Sequence, residues 1–286
     1  MNDTLVDEYG TGLLRTVISA DQDGYVWRRT PGLWAPAPFA SIEHSGLALG
    51  EIENARMVFG GTGDSRIYRG VRDHRSAASL LAEPATPTEL RSALRGTGAL
   101  LRAMHENPAP TSDPPKAVVR LRHWLSGRAR TPRAAYAEQR LSGALGAARM
   151  VLLNSWCVDL LTASEMVLSH GAPGLGVIVP DAERDGVDLL SGEDFGGAPW
   201  YFDVGWLLGE LCEMHLAELI DADSFGALHD ALIEGYGRDL DVDWNRMVVL
   251  RILLRLHDSI AYVGWNPGRF AQTAGLLRYL IDRSVL

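Results

Sequence analysis

Val167-Leu168-Ser169-His170-Gly171-Ala172 leads through the glycine-rich turn Pro173-Gly174-Leu175-Gly176 and a short apolar run to Leu190-Ser191-Gly192-Glu193-Asp194-Phe195-Gly196-Gly197-Ala198-Pro199-Trp200-Tyr201-Phe202-Asp203. Between Met166 and Leu190 the apolar residues come in short groups separated by Gly, Pro and Asp. Such spacing suits a pair of small strands rather than a helix. Helical spacing surrounds this stretch on both sides, so it reads as a β insertion within a helical domain.

Downstream, the helical pattern resumes at Asp203, whose side chain has the chemistry of an N-cap, and continues through 204–219, 225–236, 244–263 and 270–281. Upstream, Pro84, Pro87 and Thr88 open a helix in which Leu90, Leu94, Thr97, Leu101 and Met104 share one face. Further helices are expected at 120–125 and, as one long element or two, at 134–161. The first 85 or so residues are interrupted by glycine and carry candidate strands at 13–19, 24–28, 56–59 and 66–68. The fold class is therefore α+β and bilobal. It has a small β-rich lobe over 1–86 and a helical lobe over 87–286 that contains the β insertion at 166–203.

These residues resemble the active-site segment of the aminoglycoside and choline phosphotransferases, small-molecule relatives of the protein kinases. That segment reads H-G-D, four residues, N, then I-D, then D-[LIV]-A. Two further stretches strengthen the resemblance: Leu94 to His105 is similar to the family's helix ending L-A-x-L-H, and Asp203-Val204-Gly205-Trp206-Leu207-Leu208 to its D-L-A-x-L-L. The interval from Ser191 to Asp203 also matches, and the resemblance covers about residues 88 to 265. It implies a protein-kinase-like fold, ATP and Mg2+ as the family's cofactors, and a structural role for His170 in bracing its loop.

The residues that carry the family's chemistry differ. The resemblance places the catalytic aspartate at Ala172, the metal-binding asparagine at Val177 and the metal-binding aspartate at Ser191. Phosphoryl transfer needs a carboxylate near the attacking hydroxyl and oxygen ligands for magnesium; Ala172 and Val177 offer neither, and Ser191 offers a weak neutral oxygen. The basic residues are 26 arginines and one lysine, Lys116, which falls in the proline-rich Asp113-Pro114-Pro115-Lys116 and reads as part of a surface linker. The family's phosphate-holding lysine thus has no counterpart in the first lobe, where Arg56, Arg66 and Arg69 are the candidate phosphate contacts. Asp194-Phe195-Gly196 spells the D-F-G of protein kinases three residues late, which makes Asp194 a candidate metal ligand, with Glu193 as a second oxygen donor. Asp194 and His170 are the candidate catalytic groups, and Trp200 and Asp203 the candidate cleft residues. The 173–176 turn reads either as an anion-cradling nest of amides or as a tight turn between strands. Gly60 to Ser65 is a weak match to a phosphate-covering loop.

Net charge of −9 and an isoelectric point near 5.4 argue against a nucleic-acid partner. Arg120, Arg122, Arg128, Arg130, Arg133 and Arg140 form one local basic cluster, a candidate face for an anion or an acidic partner. Cys157 and Cys212 lie in apolar helical patterns and indicate no disulfide framework. No signal peptide and no membrane-spanning run are evident, so a soluble protein of a reducing cytoplasm is expected. Three functions follow. The first is a phosphotransferase-like pseudokinase, needing no cofactor, that binds a peptide or small molecule in ribosomal-peptide (thioamitide or lanthipeptide) modification beside a lyase partner. The second is an atypical ATP- and Mg2+-dependent phosphotransferase recruiting Asp194, Glu193, Asp188 or Asp203. The third is an antibiotic-sequestering protein.

Overall fold

The computed structural model describes residues 4–36, 38–40, 51–61, 63–82, 87–109, 113–129, 131–171, 173–238, 240 and 244–284. The chain opens with strands β1 (Thr4–Gly10), β2 (Leu14–Asp21) and β3 (Gly24–Pro31), followed by β4 (Ala55–Phe59) and β5 (Arg66–Val71). A short helix α1 (Ala77–Ala82) leads to α2 (Pro87–His105), α3 (Lys116–Leu125), α4 (Pro132–Leu145) and α5 (Ala147–Leu161). The insertion then supplies β6 (Val167–Ser169), a 3-10 turn at Leu175–Val177, β7 (Ile178–Asp181), β8 (Gly186–Ser191) and β9 (Gly196–Ala198). Helices α6 (Tyr201–Leu216), α7 (Ala222–Tyr236), α8 (Trp244–Asp258) with a one-turn π-helix at Ser259–Val263, and α9 (Pro267–Arg283) complete the chain.

β1, β2, β3 and β5 form an antiparallel sheet in that order. The alternation of Thr16 and Ile18 in β2 and the buried Trp27 and Tyr68 give it an inner face. Sequence periodicity predicts β2 to β5 but not β1, every residue of which is exposed; without a buried face there is no alternation to read. β4 leaves this sheet and pairs in parallel with β8, which pairs antiparallel with β7, so one three-stranded sheet joins the first lobe to the insertion. β6 and β9 form a separate short antiparallel pair.

α2 and α7 touch backbone to backbone because glycines face the contact. A Cβ on Gly98 would lie 2.4 Å from the Leu232 carbonyl oxygen, and one on Gly235 only 1.9 Å from that of Arg95. α4 and α5 are two helices rather than one, folded by 118° at Gly146, whose φ of 81° a side chain would strain. Among the described residues no single helix is long and apolar enough to cross a membrane. Both cysteines are free thiols, and burial pushes Cys157 up to about 12, so it packs as an apolar residue.

Gly235→Ala forces α7 off α2 and is expected to destabilise the protein by about 3 kcal/mol in urea unfolding. Gly143→Ala, on the open face of α4 with no atom within 4 Å of the new carbon, is expected to stabilise by about 0.5–1 kcal/mol through helix propensity.

Candidate functional site

The loops of the insertion are anchored on one buried carboxylate. Asp203 lies in the first turn of α6 and is fully buried. Its Oδ1 accepts from Ser169 Oγ at 2.9 Å and from the Gly171 amide at 3.1 Å. Its Oδ2 accepts from the His170 amide at 2.7 Å and from His105 Nε2 at 2.9 Å. Burial alone would raise this carboxyl, but the His105 hydrogen bond and the His170 amide hold it below the ordinary carboxylate range. The N-cap expected at Asp203 is corrected: the cap position is Trp200, which already has helical dihedrals, and Asp203 turns inward to bind the preceding loop instead of its own helix.

The loop between β6 and β7 begins at His170. Its Nε2 donates to the Leu190 carbonyl at 3.0 Å, Nδ1 is buried without a hydrogen-bond partner, and desolvation lowers its pKa, keeping the ring neutral at pH 7. It links the loop to the end of β8. Ala172 lies outside the described residues. The glycine-rich turn does meet an anion, but one of the chain's own: the Leu175 amide donates to Glu210 Oε2 at 2.9 Å, and a Cβ on Gly174 would stand 2.9 Å from the same oxygen. Val177 is buried and forms part of the interlobe wall.

The loop between β8 and β9 holds Ser191, Glu193 and Asp194. Ser191 is fully buried beside β4: it pairs with Phe59, its carbonyl accepts from the Gly60 amide at 3.2 Å, and its hydroxyl donates to the Leu189 carbonyl at 3.3 Å. Glu193 reaches into the first lobe, 2.8 Å from Arg29 Nη1 and 2.9 Å from the Tyr68 hydroxyl. Asp194 accepts from the amides of Lys116 and Ala117 at 2.7 and 3.0 Å and so caps α3 from a distance in sequence. Its burial outweighs these two amides and the charges of Arg120 and Lys116, and pushes its carboxyl up to about 7.

Arg56 donates to both oxygens of Asp188 at 2.7 and 3.0 Å, and the Arg72 amide adds a third bond to the same fully buried carboxylate. Arg66 is buried and donates to the carbonyls of Gly192, Gly63 and Ala40, which ties the β8–β9 loop to the first lobe. Arg69 is exposed. Thr62 of the candidate phosphate-covering loop lies outside the described residues. Trp200 stacks on Tyr236 at 5.9 Å, with the Arg238 guanidinium 3.7 Å from its ring centroid, and is not part of the interlobe wall.

A cavity of about 870 Å³ separates the sheet of β1 to β3 from α3, α6, α8 and the π-helix. Lys116, read as part of a surface linker, lines it: its ammonium donates to the Pro38 carbonyl at 2.5 Å and is pushed below its ordinary range by burial. Arg120 also turns inward, holding Asp258 at 3.1 and 2.9 Å, so the basic cluster of the sequence is not one outer face; Arg130 lies outside the described residues. Sequence reading missed Arg29, Glu210, Arg251 and Asp258 in this wall. Their signal was present: Glu210 and Arg251 interrupt apolar runs, and buried charge on such a face implies a partner. Among the described residues no three His, Cys, Asp or Glu side chains are grouped to hold a metal ion.

No protein-family model and no curated protein sequence matches this chain. Among solved structures, spectinomycin phosphotransferase in complex with ADP and spectinomycin superposes with a TM-score of 0.50 and 11% identity, over 100% of this chain and 92% of that one. The chain has the aminoglycoside phosphotransferase fold. Amicoumacin kinase, another phosphotransferase of this fold, superposes with a TM-score of 0.50 and 12% identity over 97% of this chain and 88% of its own. In this fold Asp203 anchors the loop that follows β6, part of the 167–177 stretch that the resemblance singled out.

Asp203→Ala leaves two loop amides and His105 without their acceptor and is expected to cost about 3–5 kcal/mol in chemical denaturation. Asp194 supplies a pH test. Its folded pKa lies above the unfolded value of about 4, so the folded state binds the extra proton between about pH 4 and 7. Wild-type stability therefore falls, relative to Asp194→Asn, as pH rises through that window. Unfolding of both proteins across pH 4.5 to 8 checks it, and a constant difference would contradict it.

Proposed function

We propose that this chain is a pseudokinase: a phosphotransferase fold retained as a binding subunit that holds a peptide or small molecule without transferring phosphate. The observation that carries this reading is the pairing of β4 with β8 up to Phe59 and Ser191. The position that corresponds to the family's metal-binding aspartate is a neutral serine, fully buried and paired edge to edge with a strand of the first lobe. The nearby carboxylates are committed elsewhere, Glu193 to Arg29 and Tyr68, Asp194 to α3, Asp188 to Arg56 and Arg72, and Asp203 to the loop amides. With those carboxylates engaged and no group of three His, Cys, Asp or Glu side chains gathered among the described residues, the site does not suit a magnesium nucleotide. Ala172 at the catalytic-aspartate position has no carboxylate, and the lysine of the chain belongs to α3.

The setting that suits such a subunit is the modification of a ribosomally made peptide, thioamitide or lanthipeptide, beside a lyase partner. One observation favours the second reading, an atypical phosphotransferase: Asp194, Lys116 and Arg120 share the cavity wall, which brings a carboxyl and two cations together at the D-F-G stretch. The cavity's cationic excess, described below, speaks against sequestration of a cationic antibiotic.

Thermal unfolding with millimolar ATP and magnesium tests the proposal. A ligand at about 100 times its dissociation constant stabilises by roughly 2.7 kcal/mol, about 5 °C or more for a chain this long. The expected outcome is no shift; a magnesium-dependent rise would contradict a nucleotide-free binding subunit and favour the atypical-phosphotransferase reading.

A further inference from the structure

Two arginines in the cavity wall keep nitrogens without acceptors. Arg29, from β3, and Arg251, from α8, are each 9% exposed and line the cavity from opposite lobes. Arg29 Nε and Nη1 and Arg251 Nε make no hydrogen bond. Their ion pairs engage other atoms or poor angles: Glu193 lies 2.8 Å from Arg29 Nη1 without a hydrogen-bond geometry, and Glu210 and Glu213 lie 3.3 and 3.8 Å from the terminal nitrogens of Arg251. A buried donor without an acceptor is unfavourable, and the ion pairs of Arg29 with Glu193 and of Arg251 with Glu210 and Glu213 leave part of each guanidinium unbonded. Those nitrogens are themselves sealed from solvent, but both arginines line the cavity, so an anion entering it lies beside two guanidinium groups that its interior carboxylates leave incompletely bonded.

The charge of the wall limits what that acceptor is. The described lining residues include six Lys or Arg and five Asp or Glu side chains, a formal excess of one positive charge that partial protonation of Asp194 enlarges, in a chain whose net charge is −9. One negative charge balances it, whereas a nucleotide triphosphate without its metal would leave a large uncompensated negative charge in a poorly hydrated space. The rest of the wall is largely apolar, with Leu13, Phe39, Trp206, Leu254 and Tyr262, and its volume suits a body of drug size. Planar guanidinium forks match a carboxylate geometrically.

We propose that the interlobe cavity binds an organic monocarboxylate with an apolar body, using Arg29 and Arg251 as its carboxylate-binding residues. The inference rests on the reading of this cleft as a binding site and names its ligand class. A free acid and the carboxylate of a single Glu or Asp within an otherwise apolar peptide share this chemistry.

The test is thermal unfolding and calorimetric titration of the full chain with four probes. They are phenylbutyrate and its isosteric amide, and the blocked tripeptides acetyl-Phe-Glu-Phe-amide and acetyl-Phe-Gln-Phe-amide. At least one carboxylate is expected to bind and its amide partner to fail, and the member that binds identifies the source as free acid or peptide. Arg251→Gln and Arg29→Gln are each expected to weaken that binding about tenfold or more, the equivalent of about 1.4 kcal/mol. Should one variant fold poorly, the other carries the same comparison. Equal binding of acid and amide, no binding of either carboxylate, or undiminished binding in both variants would overturn the proposal. ATP with magnesium, run in parallel, separates the two failures: a nucleotide shift sinks the binding-subunit reading, whereas silence of every probe including nucleotide sinks the carboxylate site alone.

Discussion

A single buried carboxylate holds the centre of this molecule. Asp203 is charged and sealed from water, a state that is tolerable only because four donors from three parts of the chain converge on it: His105 from the end of α2, the Ser169 hydroxyl from β6, and the amides of His170 and Gly171. Because two of those donors are backbone amides, Asp203 fixes the path of the 167–171 loop whatever side chain follows it. His105 extends the network to the Tyr236 hydroxyl at 2.9 Å, at the end of α7, where Gly98 and Gly235 let α2 and α7 meet. The loop framework thus depends on one carboxylate, one imidazole, one hydroxyl and two backbone amides.

Around that framework each charged group of the D-F-G region has a structural task. Asp194 caps α3, Glu193 reaches Arg29 and Tyr68 across the lobes, and Arg66 gathers three carbonyls from separate segments. β4 adds a continuous strand contact between the first lobe and the insertion. These contacts tie the lobes together on the β8 side and leave the opening on the other, between β1 to β3 and α8, where Arg29 and Arg251 stand.

The fold was legible because its signals are local. The apolar stripe of α2, the breakers between Met166 and Leu190, and the motif-like Ser169-His170-Gly171 and Asp203 each report on neighbours a few residues away. What was not legible depends on contacts between distant segments. Lys116 looked like a linker residue because Pro114 and Pro115 precede it, yet its amide is taken by Asp194 and its ammonium by Pro38, each 78 residues away. Asp203 looked like an N-cap because cap chemistry and loop-anchoring chemistry use the same residue type. The pairing of β4 with β8 spans more than a hundred residues, and no periodicity announces which strand an edge will find.

The proposed pseudokinase reading turns on the pairing of the first-lobe strand β4 with β8 at Ser191. Hydrogen exchange of the Gly60 amide, which donates to the Ser191 carbonyl at 3.2 Å, tests it most directly, with and without ATP and magnesium. The account predicts slow exchange, close to that of the global unfolding reaction, and no change on adding nucleotide. Fast exchange, or a change in protection when magnesium nucleotide is present, would mean that β4 opens and that Ser191 faces a working cleft.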